Sequence, residues 1–363
     1  MDTRTLLRYE LKKTFGQRAY WMALAVMVLL LVANELIPIY TGNYLPKLRR
    51  EVALSGTAVD DAVIEAIQAA PDQHAYDPIY SLIKYATGRT DITGVTAASL
   101  YRTREEVNDG LMTEDHVTDA ERAYWKARDS ANATPFVYRY DGAYAAFFEV
   151  VYFMDFMVLI LCGVSLSGLF ADERARGTDQ IVFGTRHGRA RLFRVKVVVG
   201  VAVGLVSALL LIGEEVAACF LLYGTDGADA MVQIHIPQCM MRVTMGQAML
   251  YMSLLIVAAS VFLAVVAMFL SQNTMNHAGT MAGMILLMFL SMVNLPGRPL
   301  KLLTSLMPGA FVGSWLFDNY ITVTLFGARL TVMQYAPLCW AVVGAALLML
   351  AGAAYRRYEV RAR

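Results

Sequence analysis

The chain has 363 residues, 57% of them hydrophobic and 17% charged, with a formal net charge of +1 and a mean hydropathy of +0.48. That balance excludes an ordinary soluble domain of this length, and it leaves no overall basic field for nucleic acid. Several apolar runs exceed the roughly 18 residues that signal a bilayer span, so the chain reads as an integral membrane protein.

Residues 1–19 hold Arg4, Arg8, Lys12, Lys13 and Arg18 against Asp2 and Glu10. Leu7, Leu11 and Phe15 recur at four-residue spacing while Arg8, Lys12 and Lys13 point away. The pattern predicts an amphipathic helix lying in the membrane interface; a solvated basic leader is the other reading. The first span is expected over 20–40, with Trp21 and Tyr40 as interfacial aromatics. Its far end lacks a small-residue cleavage pattern, so it reads as a retained anchor.

Composition then changes. Residues 41–142 contain no apolar run long enough to span, and Thr41 to Asp141 hold sixteen acidic and eleven basic residues. This is read as an extracytoplasmic domain of about a hundred residues, mostly helical. Val59, Val63 and Ile67 line one face opposite Asp60, Asp61 and Glu65, and Pro71 ends the run. Thr118 and Glu121 have the spacing of a capping box. The expected role is a helical cap over the membrane part, by structural packing or by contact with a substrate or partner.

A second span is expected over 143–170, followed by a basic loop at 171–196. In that loop Gly177 is expected to end one helix and Thr178 to cap the next, with Asp179 in its first turn. A short helix then carries the apolar ridge Ile181, Val182 and Phe183 up to Gly184, and Arg186, His187, Arg189, Arg191, Arg194 and Lys196 follow. Water would not tolerate that ridge uncovered, so a partner or the bilayer surface must cover it. An ordinary cytoplasmic loop obeying the positive-inside rule is the plainer reading.

The order Glu173, Gly177-Thr178, apolar helix, basic stretch and Lys196 resembles the coupling-helix loop of type 2 ABC exporter permeases. The sequence departs from it in having Thr185 to Gly188 where many relatives carry Pro. The resemblance implies that Glu173, Gly177, Thr178, Ile181, Val182, Phe183, Arg186 and Arg189 couple to a separate ABC ATPase. It also implies two ATPase copies carrying ATP and Mg, with no cofactor in this chain. A second permease chain, identical or homologous, completes the expected set of partners, together with membrane lipid. The amphipathic leader matches the interfacial elbow helix that precedes the first span in such permeases.

Further spans are expected over about 195–223, 245–270, 278–293 and 335–355. Between the last two, residues 294–334 hold Pro296, Pro299 and Pro308 and read as short external helices dipping back toward the bilayer. The tail 356–363 carries Arg356, Arg357, Arg361 and Arg363. The expected fold is therefore an all-α integral membrane protein of six transmembrane helices, with an interfacial helix and a helical insert. Both termini are placed in the cytoplasm of a cell with the chain in its plasma membrane.

The sequence has no phosphate-binding Gly-rich loop, no metalloprotease or serine-hydrolase motif, and so no catalytic residues. Cys162, Cys219, Cys239 and Cys339 show no metal spacing; Cys219 and Cys239 flank one external loop as lone thiols or as a disulfide. Met240, Met241, Met245, Met249 and Met252 lead into the fourth span, as packing filler or as an adaptable apolar surface.

Ionisable residues inside apolar runs are the sharpest local signal, since a charge in hydrocarbon costs at least a few kcal/mol. They are Glu35, Glu149, Asp155, Glu214 and Glu215. Read blandly, they form a partly wet acidic ring; read sharply, they line a translocation path for a cationic, amphipathic substrate. Three functions stay open on these residues: an ATP-driven exporter of an antimicrobial peptide, antibiotic or lipid, a proton-coupled secondary transporter, and a membrane sensor that uses the insert.

Overall fold

The computed structural model describes residues 3–89, 91–175, 188–293, 297–308 and 316–357, without the side chains at 173–175, 188–189 and 356–357. Helix α1 (Thr3–Phe15) stops at Gly16 and Gln17, and α2 (Arg18–Tyr40) follows. Leu7, Leu11 and Phe15 are only half-buried, and the innermost face of α1 carries Glu10 and Thr14.

Helix α2 buries Tyr20, Leu24, Met27, Leu31 and Glu35. These recur every three or four residues, so they form one inward stripe. Val26, Leu29, Leu30 and Ile37 on the other sides are exposed. Such a surface is a liability in water and the normal condition in hydrocarbon, where lipid is the solvent.

The insert contains α3 (Tyr44–Leu54), α4 (Asp61–Ala69), α5 (Ile79–Thr87), α6 (Ala97–Glu114) and α7 (Asp119–Asp129). Asp60 is the N-cap of α4, accepting from Val63 N at 3.1 Å, so Val59 lies just ahead of the helix rather than on it. The expected capping box at Thr118 and Glu121 is present. Ile64, Ile67, Ile79, Ile83, Leu100 and Phe136 form a core of the insert's own, which Ile234 from a later loop completes. Each such side chain contributes about 1.5–3 kcal/mol on burial.

The chain re-enters the apolar bundle in α8 (Gly142–Leu166), breaks at Ser167 and continues as α9 (Gly168–Ala175). Helix α10 (Gly188–Tyr223) is 36 residues long. It starts well before the expected position 195, because nothing after Gly188 breaks the helix, and Leu192, Val195, Lys196 and Val199 are buried at helical spacing. Residues 188–196 are thus the first turns of a helix, a correction to the loop expected there.

Helix α11 (Met245–Thr274) and α12 (His277–Ser291) form a hairpin across Met275, which takes a left-handed conformation. Helices α8, α10 and α11 pack on one another at the centre, with α2 against α8 and α10. The α10–α11 contact is close: a Cβ on Gly204 would lie 2.6 Å from the Ser260 carbonyl oxygen, and one on Gly200 would overlap Met268. Gly200 and Gly204 give the small-residue spacing that lets membrane helices approach.

The segment expected to be irregular and helical contains α13 (Arg298–Thr304), then a two-stranded hairpin, β1 (Val323–Leu325) and β2 (Ala328–Leu330). Phe326 and Gly327 both have positive φ, the two-residue turn that suits a right-twisted hairpin. Among the described residues the fold is therefore helical with one small β-hairpin. Helix α14 (Val332–Arg357) follows the hairpin and packs on α11.

Among the described residues, five stretches are long and apolar enough to cross a membrane: 18–40, 142–172, 190–223, 245–274 and 332–355. Helix α12 has 15 residues, about 22 Å of rise against a hydrocarbon core of roughly 30 Å.

Candidate functional site

The candidate site lies at the insert end of the bundle, where α2 and α10 finish and α8 begins. Tyr40 lies five positions beyond Glu35 and Tyr223 eight beyond Glu215, so both carboxylates sit roughly 8–12 Å below their helix ends. Glu35 is 4% exposed and Glu215 fully buried. They face each other across the α2–α10 contact. Cys219, one turn beyond Glu215, donates its thiol to Glu215 Oε1 at 3.4 Å. The Oε2 atoms of Glu35 and Glu215 are buried without a hydrogen-bond partner, as are both oxygens of Glu214.

The end of α10 is held by tyrosines. Tyr44 donates to the Leu222 carbonyl, Tyr140 to that of Tyr223 at 2.9 Å, and Tyr144 to that of Thr225 at 3.3 Å. They satisfy carbonyls that a helix end otherwise leaves orphaned. Gly227, at φ +95°, lets the chain turn against Tyr140 and Asp141, and a Cβ there would lie 2.3 Å from the Tyr140 carbonyl oxygen. On α2, Tyr20 and Ser207 of α10 share a hydroxyl bond at 3.1 Å. The acidic cluster therefore stands on a fixed scaffold.

Asp155 is separate and deeper. It lies near the middle of the 142–172 stretch, is 3% exposed, and neither of its oxygens has a hydrogen-bond partner. Glu149, grouped with it by sequence, is exposed, as are its neighbours Tyr152 and Phe153. The structure thus brings Glu35, Glu214 and Glu215 together, leaves Asp155 alone, and turns Glu149 outward.

A second network clamps the insert over this end. Arg104, 4% exposed, holds Asp129 through two bonds of 2.8 Å and donates to the carbonyls of Pro237 and Cys239. Glu121 accepts from its own cap Thr118, from Arg298 on α13, and from the backbone and hydroxyl of Thr322 at 2.9 and 2.8 Å. Burial alone would raise the Glu121 carboxyl, but Arg298 and these donors hold it well below the usual carboxylate range. His235 meets Asp141 at 2.8 Å; burial disfavours its charged form, and Asp141 outweighs that and raises its pKa.

At the opposite end, Ser167 in the α8–α9 break bonds His277 Nδ1 at 3.0 Å, and Asp172 bonds His277 Nε2 at 2.7 Å. Lys196, fully buried, donates to the Leu169 carbonyl and lies 5.1 Å from the Phe170 ring centre. Of the residues expected to couple to an ATPase, Gly177, Thr178, Ile181, Val182, Phe183 and Arg186 lie outside the described residues, as do the side chains of Glu173 and Arg189.

All four cysteines are free thiols, so Cys219 and Cys239 stand apart. Sequence reading missed Cys219 as a member of the acidic cluster, the three tyrosines, and the double use of Glu121. The i, i+4 spacing of Glu215 and Cys219 was the available signal. Comparison of the chain with protein-family models, characterised proteins and solved structures returns no match.

Proposed function

We propose that this protein is the permease subunit of an ATP-driven exporter that moves a cationic amphipathic substrate, a peptide, drug or lipid, out of the cell. The observation that carries a transport role is Asp155, a carboxylate near mid-span, 3% exposed, with neither oxygen partnered. A charge in that position is costly, and such groups are characteristic of substrate or ion pathways. The exporter class rests on the resemblance at 171–196 and on the interfacial helix before the first span. In this reading residues 41–142 lie outside the cell, both termini lie in the cytoplasm of a plasma-membrane protein, and α12 is the sixth crossing. Two ATPase copies and a second permease chain complete the transporter.

The unpaired carboxylates also favour a second reading, proton-coupled transport, in which Asp155 carries the proton. The experiment compares wild type with Asp155→Asn for protection of cells against a panel of cationic amphipathic peptides, with expression matched. Loss of protection in the variant supports a path through Asp155; equal protection by both against every peptide contradicts it. Abolition of protection by a protonophore at constant cellular ATP favours the proton-coupled reading.

A further inference from the structure

Among the described residues, Glu35, Glu215 and Cys219 are the group that brings metal-ligating atoms together: two carboxylate oxygens and the thiol sulfur lie within 4.8 Å of one another, all in buried residues. We propose that these three residues form a binding site for a thiophilic divalent cation of the zinc type.

The argument starts from the helix. Positions 215 and 219 are one turn apart on α10, so the carboxylate and the thiol project to the same side, and Glu35 reaches them from the buried stripe of α2. Two acids and a thiol here have little company of opposite charge. The basic group acting on Glu35 is Lys47, on α3 beyond the helix end, and it is engaged with Glu51 at 3.8 Å. The independent sign of a missing ligand is the pair of Oε2 atoms, buried on side chains 4% and 0% exposed and without hydrogen-bond partners. Buried polar atoms are nearly always satisfied, and a bound cation would compensate these two carboxylates.

The donor set selects the cation. Magnesium and calcium take oxygen ligands and avoid sulfur, whereas zinc accepts carboxylate oxygen and thiolate together in a tetrahedral shell. Three protein ligands leave a fourth position for water or for a donor atom of a passing molecule. Binding releases the Cys219 proton, and a divalent ion reduces two carboxylates and a thiolate to a single net negative charge. The tyrosine bonds fix the end of α10, one turn beyond Cys219, against α3 and the start of α8. The proposal stands independently of the exporter reading.

The test uses the untagged full chain in lipid nanodiscs, stripped with a chelator. Zinc is titrated by calorimetry, and cadmium by the ultraviolet charge-transfer band of a cadmium–thiolate bond. Expected are about one zinc per chain and a cadmium–thiolate band that Cys219→Ser abolishes, with Glu215→Gln weakening zinc binding by at least about tenfold. Cys219→Ser is nearly isosteric, and far-ultraviolet circular dichroism checks its fold. A wild-type chain that takes up no zinc and shows no cadmium band overturns the proposal, leaving a pair of carboxyl groups that share a proton. A band that survives in Cys219→Ser overturns it equally, since the metal would then sit on another thiol. Absence of an ATPase partner would leave this result untouched, and absence of zinc would leave the exporter reading untouched.

Discussion

Glu121 and Arg298 lie 177 residues apart and are joined by two parallel charge-assisted hydrogen bonds of 2.8 and 2.9 Å. The same carboxylate caps α7 and holds Thr322, so one side chain fastens the insert to the segment before the last long helix. Breaking it strands a guanidinium and the Thr322 donors. Glu121→Ala is expected to lower stability by about 2–3 kcal/mol and to open residues 297–331 to protease. Arg298→Lys keeps the charge, loses the fork, and should fall between variant and wild type. Thermal unfolding in detergent with limited proteolysis checks both.

The pair His235 and Asp141 makes stability depend on pH. The folded-state pKa of His235 is raised, so the pair's contribution is fully present below about 6.5, the unfolded value, and is lost as pH rises through the folded value. Glu51 and Glu149 act on the imidazole in the same direction. Asp141→Asn should therefore lower the melting temperature most near pH 6 and least near pH 9.

Asp318 works against stability at neutral pH. Burial pushes its carboxyl up to about 6 despite the opposing charge of Lys301. Its favourable contribution is complete below the unfolded value near 4 and disappears as pH rises through about 6. Asp318→Asn should raise stability at pH 8 by roughly 1–3 kcal/mol and leave it unchanged at pH 4. Melting curves at the two pH values decide it.

Gly204 permits a close approach of α10 to the backbone of α11. A side chain there meets the Ser260 carbonyl, which belongs to helix backbone and does not yield. Gly204→Val should cost about 1–3 kcal/mol, whereas Gly213→Ala, where an added Cβ meets open space, should cost little. Detergent thermal stability of the two variants compares them.

These outcomes also mark what the sequence could tell. Glu35 was legible as the ionisable residue of its apolar run, but its inward direction was not, since exposed Val26, Leu29 and Leu30 are as apolar as buried Leu24, Met27 and Leu31. Helix α8 posed the same difficulty. It is apolar on every face, so its period could not separate inward Asp155 from outward Glu149. Cys219 was hidden because its acidic partners come from a different helix and from its own preceding turn, a spacing that no metal motif records. The hairpin at 323–330 escaped because two strands of three residues carry too little alternation to stand out from a Pro-rich segment. The insert's helices were readable from caps and stripes, but their attachment through Arg104, Glu121 and Trp125, whose indole donates to the Tyr320 carbonyl, depends on residues far along the chain.

The measurement that tests the central claim most directly is co-purification of the chain with a co-expressed ABC ATPase from the same organism, comparing wild type with Val182→Asp. A charge on the apolar ridge proposed to dock should cost roughly a few kcal/mol of binding. The account predicts a stable wild-type complex and its loss in the variant, with the chain itself still monodisperse. A wild-type chain that retains no ATPase would contradict the exporter reading.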